Sequence, residues 1–163
     1  MIQEIEQALV NLLSEVSEVR NIITHPMSEV GRTLPALVLV YEGFDERLQT
    51  NETGRITLRW KATLVWALDG KSTETVWVMV KQVADRLINV VRNNATLNGL
   101  VHGLLIDSGE PVIGSGDGYA YIGHSFTISV WKTIALNMTA MKVRPSPISD
   151  MIRRVNLRDD FGS

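Results

Sequence analysis

The sequence predicts an α+β domain: a mostly antiparallel sheet with two helices packed on one face, followed by a C-terminal extension. Three observations carry this. Residues 55–69, RITLRWKATLVWALD, alternate between apolar and polar positions. Residues 2–23 and 73–93 each repeat apolar residues three and four apart. Strand-like segments follow one another on both sides of the second helical segment, which favours hairpins and helices gathered on one face of the sheet.

The first helix is read over Ile2–Ile23, with Ile5, Leu9, Leu12, Leu13, Val16, Val19 and Ile23 as one stripe and Glu4, Glu6, Glu15 and Glu18 opposite. Pro26 ends it, because proline disfavours helical geometry in the residue before it. Leu34–Glu42, LPALVLVYE, is a near-continuous apolar run suited to a buried strand. Gly43–Gly54 is polar and turn-rich, and is read as the connection to the next strand.

That next strand carries the strongest pattern in the chain. Ile56, Leu58, Trp60, Ala62, Leu64, Trp66 and Leu68 share one face, and Arg55, Thr57, Arg59, Lys61 and Thr63 the other. At about 3.3 Å per residue it runs to roughly 50 Å, well beyond a strand of ordinary length. A strand that long overhangs its sheet. Ile56 and Trp60 in its outer half are therefore expected to meet a neighbouring chain, and Trp66 in its inner half to belong to the core.

Asp69-Gly70 makes a turn and Ser72 caps the second helix, Thr73–Asn93, whose stripe is Val76, Val80, Val83, Ala84, Leu87, Ile88 and Val91. Leu104–Asp107 reads as a short strand and Pro111–Gly118 as a turn region. Tyr119–Thr133 alternates again, with Ile122, Phe126, Ile128 and Val130 on one face and Ser125, Thr127 and Ser129 on the other.

Residues 1–133 form the predicted domain, and 134–163 an arm. Pro145 and Pro147 make an irregular link. Ser146 caps a short helix whose Ile148, Met151, Ile152 and Val155 fall at i, i+3, i+4 and i+7. So short a helix is marginal alone in water. Its stripe is expected to dock on another chain, with Arg153, Arg154 and Arg158 beside acidic partner surface.

Composition sets the limits. The 163 residues suffice for one domain with its own core. Nothing approaches an apolar run of about 18 residues, so no membrane-spanning helix is expected. The opening Met1-Ile2-Gln3-Glu4-Ile5-Glu6 lacks the basic start and apolar core of a signal peptide. With no cysteine, disulfides, zinc–thiolate sites and thiol nucleophiles are excluded, which fits a reducing cytoplasm. The net charge of −2 is unevenly spread: −6 over residues 1–54, +1 over 55–131 and +3 over 132–163. An acidic start and a basic tail suit attraction between subunits.

Catalytic, metal and cofactor chemistry is not expected. His25, His102 and His124 are isolated from paired acids, and His124 falls on the apolar face of the last strand, as a satisfied core histidine would. No HExxH, GxSxG or Walker loop occurs. Gly114–Gly118, GSGDG, lacks dinucleotide-binding spacing and lies between strands, so it reads as a hairpin connection. Three Asn-x-Thr triplets, at Asn51, Asn94 and Asn137, are read as chance glycosylation matches. Arg55, Arg59 and Lys61 have the charge for phosphate, but threonines separate them and no aromatic is placed to stack a base. A solvated or subunit-facing surface is the reading they support.

Element order is the widest signal. An N-terminal helix leads into LPALVLVYEG, then RITLRWKATLVWAL, the helix VWVMVKQVADRLINVV and the closing GYAYIGHSFTISVWK. Over residues 1 to about 133 this resembles the tail terminator (tail completion, minor tail) proteins of tailed bacteriophages and related contractile systems. The resemblance implies a structural virion protein of the tail and neck, assembled in the host cytoplasm. It implies a hexameric ring that caps the tail tube, contacts the tube protein and the neck or connector protein, and passes DNA only as cargo through its lumen. In contractile tails it implies an attachment for the last sheath ring. The family is defined by shape and interfaces, so it carries no site residues over. A head-closure or tail-adaptor protein is the nearest alternative. An α+β small-molecule binding or regulatory domain is the third, and it requires a concave pocket lined by Tyr119, Tyr121 or the tryptophans.

Overall fold

A computed structural model of the chain describes residues 1–26, 34–116 and 119–136. These residues form an α+β fold with two helices and one five-stranded, mixed, mostly antiparallel sheet. The elements are α1 (Ile2–Leu13), β1 (Asn21–Ile23), β2 (Ala36–Leu48), β3 (Thr53–Ala67), α2 (Thr73–Asn93), β4 (Gly103–Gly116) and β5 (Tyr119–Ala135). Across the sheet the strands run β1-β2-β3-β5-β4. β1 pairs parallel to β2, and β4 pairs antiparallel to β5. No helix among the described residues is long and apolar enough to cross a membrane.

The chain divides into two compact units. One comprises Met1–Glu46 with Ile56–Lys132, and the other Arg47–Arg55 with Thr133–Ser163. In the first unit, Ile5, Leu9, Leu12 and Leu13 of α1 and Val76, Val80, Val83, Ala84, Leu87 and Val91 of α2 are buried. They meet the apolar faces of β3 and β5 in one core. Trp60 joins the layers: its indole N–H donates to Glu6 of α1 at 2.9 Å, and its ring packs against Tyr41 of β2 with centroids 5.2 Å apart. In the second unit, the turn after β2 closes through Gln49 and Thr50 N–H groups on the Thr53 carbonyl, at 3.0 and 3.2 Å. There the Leu136 N–H also donates to the Glu52 carbonyl at 2.8 Å.

Two elements form as the sequence indicates. α2 spans the expected residues, and the Ser72 hydroxyl accepts from the Thr75 N–H at 3.2 Å, capping its first turn. β3 buries Ile56, Leu58, Trp60, Ala62, Leu64 and Trp66 and leaves the intervening polar residues partly or fully exposed, with Val65 buried as well.

Three boundaries differ from the sequence reading. α1 stops at Leu13 rather than Ile23. The Ser14 hydroxyl donates to the Asn11 carbonyl at 2.7 Å, a local bond that competes with continued helix. Val16 stays buried from the turn that follows, so its helical spacing does not reflect helix. β2 runs on through Gly43 to Leu48, so most of the supposed loop is strand. β4 is likewise a long strand that includes Pro111–Gly116. Proline is tolerated there because β4 is the sheet edge, where an N–H is not required on the outer side.

Gly43 explains how β2 continues. Tyr41 lies on the helix side against Trp60, whereas Asp45 pairs with Arg59 on the opposite face. Positions four apart on an uninterrupted strand would share a face. An extra residue is absorbed between them at Gly43, whose φ of +110° is costly for a residue with a side chain. Beyond this bulge, Phe44 and Glu46 take the helix side.

Candidate functional site

The helices cover one face of the sheet, and the other face is polar. Arg59 of β3 donates to Asp45 of β2 at 2.6 Å. Lys61 shares a shallow depression of about 250 Å³ with Glu42, Glu110, Ser108, Ser125 and Thr127. A register shift between Ile106 and Ser108 turns Ser108 and Glu110 toward this face, opposite Thr127 and Ser125. The Ser129 hydroxyl donates to Asp107 at the shift. Arg55 lies in the second unit and is itself engaged. Arg59 and Lys61, which have the charge for phosphate, are thus interleaved with carboxylates, in line with the solvated or subunit-facing surface read from the sequence. Such a face suits water or a polar protein surface better than a nucleic-acid backbone.

Ile56 and Trp60 are placed differently from the expectation that they contact a partner. They are 7% and 0% exposed, and lie in the chain's own core with Trp66. α1 covers the stretch of β3 that an inner and outer division would have left open, as the Trp60–Glu6 bond records. Among the described residues, the most exposed large apolar side chains are instead Ile113 on β4 at 79%, Leu48 at 73% and Phe44 at 57% on β2, with Met1, Val78, Leu105 and Ile2 less so. Ile148, Met151, Ile152, Val155, Arg153, Arg154 and Arg158 lie outside the described residues, as does the expected arm from residue 137 on, whereas Ile134 and Ala135 still belong to β5.

A cleft of about 530 Å³ opens between the C-terminal end of α2 and strands β4 and β5. Ile88, Val91, Leu104, Ile106 and Phe126 supply apolar walls, with Arg92, Ser108 and His124 as polar members. His124 stacks on Phe126 with centroids 4.7 Å apart, and its Nδ1–H donates to the Ser125 carbonyl at 2.9 Å. That bond fixes the ring against the strand, as a satisfied, half-buried histidine requires. Neither Tyr121 nor any tryptophan lines the cleft. Tyr119's side chain is outside the described set. No local pattern announces this cleft, because it depends on β4 extending past Asp107.

Among the described residues, no three His, Asp or Glu side chains converge as metal ligands would. His25, two residues past the end of β1, has its Nδ1 3.2 Å from the Pro26 carbonyl, and His102 is engaged just before β4. A scan against protein-family models finds no match to this chain, and a search of curated proteins finds none either.

Proposed function

We propose that this chain is a structural protein of a tailed-phage virion: a tail terminator that forms a hexameric ring, caps the tail tube and joins it to the neck. The observation that carries this reading is a sheet covered, among the described residues, by helices on one face only, and built from strands of 13 to 17 residues in β2, β3, β4 and β5. Strands in globular domains typically run about five or six residues, so these provide far more polar and edge surface than one small domain uses. Apart from the short β1, which the sequence reading did not contain, the order helix, strand, long strand, helix and hairpin matches the order on which the resemblance rests. Surfaces of mixed charge, such as the Asp45–Arg59 and Lys61–Glu42–Glu110 groups, set orientation between subunits more than they set affinity.

The direct test is tube capping. Purified chain is added to tail-tube protein polymerising on its initiator, and tube lengths are read by electron microscopy. The expected result is arrest of growth with a ring-shaped density at the growing end. Unchanged length distributions at saturating chain would remove the terminator reading. Attachment to the connector alone would instead favour a head-closure or tail-adaptor role.

A further inference from the structure

We infer that Phe44 and Glu46 of one subunit dock into the α2–β4 cleft of the next, with Glu46 facing Arg92. This inference rests on the ring reading and names the contact that would build the ring. The first supporting observation is an exposed aromatic. Phe44 is 57% exposed, on a strand whose other large apolar residues before the bulge are partly or fully buried. The Gly43 bulge turns Phe44 and Glu46 to the helix side. The second is a receptor of matching chemistry on that same side. The cleft is lined by Ile88, Val91, Leu104, Ile106 and Phe126, and among the described residues none that lines it is acidic. Arg92, in the last turn of α2, stands at its rim with no ion pair among the described residues. An aromatic ring filling an apolar cleft beside a carboxylate–guanidinium pair is the usual anatomy of a strong contact.

The third observation is position. Phe44 is on β2, toward one edge of the sheet, and the cleft is at β4, the opposite edge. A knob and a hole on opposite flanks cannot both be satisfied in a two-fold dimer built on a single patch. They pair head to tail, and such pairing closes into a ring when the rotation between subunits permits. A second copy of the chain is the occupant that carries both halves of the match.

The test uses sedimentation of the full-length chain over a range of concentrations. Wild type, Phe44→Ala, Arg92→Glu and an equimolar mixture of the two variants are compared. Both side chains are exposed, so the variants should melt within a few degrees of wild type. Wild type is expected to associate beyond dimers, and each variant alone to weaken association by about tenfold or more. The mixture should stop at heterodimers, because Arg92→Glu keeps the knob and Phe44→Ala keeps the hole. Combining Glu46→Arg with Arg92→Glu in one chain should restore assembly. Variants that assemble like wild type would overturn the contact and leave the ring standing. A wild type that stays monomeric at every concentration would overturn both.

Discussion

Replacing Gly123 by alanine is expected to prevent the chain from reaching its native sheet. β5 crosses β3 so closely here that an added Cβ would run into the Leu64 carbonyl oxygen and crowd the Val65 backbone. These are backbone atoms in the middle of the sheet, so no side chain can turn aside to make room. The neighbouring ladder runs antiparallel through this point: Leu68 donates to Ala120 at one end, and Glu52 accepts from Leu136 at the other. Relief therefore requires β3 and β5 to separate or shift register, which exposes the apolar face of both strands. The expected cost exceeds about 4 kcal/mol, a large part of the stability of an ordinary domain. Circular dichroism and denaturant titration of Gly123→Ala read this directly. A variant that unfolds cooperatively within about 1 kcal/mol of wild type would show that the strands do not approach as described.

Trp60→Ala is expected to destabilise the monomer by about 3–5 kcal/mol. The indole is fully buried, packs on Tyr41 and donates to Glu6, so the substitution opens a cavity and leaves a part-buried carboxylate without its donor. Trp60→Phe separates the two effects. It keeps most of the buried area and loses only the indole donor, for about 2 kcal/mol. Shifts in denaturation midpoint at unchanged slope would confirm that both act on stability. If instead Trp60→Ala left the midpoint unmoved and only weakened association, the side chain would be acting at an interface, as the alternation of β3 alone had implied.

That contrast shows where the sequence is informative. Alternation in residues 55–67 specifies a strand with one buried face, because side chains on a strand have a period of two regardless of what covers them. It does not specify what does the covering. Nothing in RITLRWKATLVWA reveals that α1 lies across Trp60, since that contact joins residues 54 positions apart. α2 was legible to its ends because a cap, a stripe and an Asn-rich stop coincide at Ser72 and Asn93-Asn94. β4 was not, because Ser108, Gly109, Pro111 and Gly114 have turn-forming chemistry and become strand only through pairing with β5. The same was true of Gly43, Asp45 and Glu46, held in β2 by its pairing with β3. The candidate contact surfaces inherit this. The Phe44 knob needs the bulge, the cleft needs the far half of β4, and neither is a local property of its residues.

The central claim is that this chain is built to assemble as a ring, and native mass spectrometry of the full-length protein tests it most directly. The account predicts a dominant species of six subunits that persists at low micromolar concentration and dissociates at high salt into smaller species. Monomers or two-fold dimers alone, across the concentration range and in the presence of tail-tube ends, would contradict it.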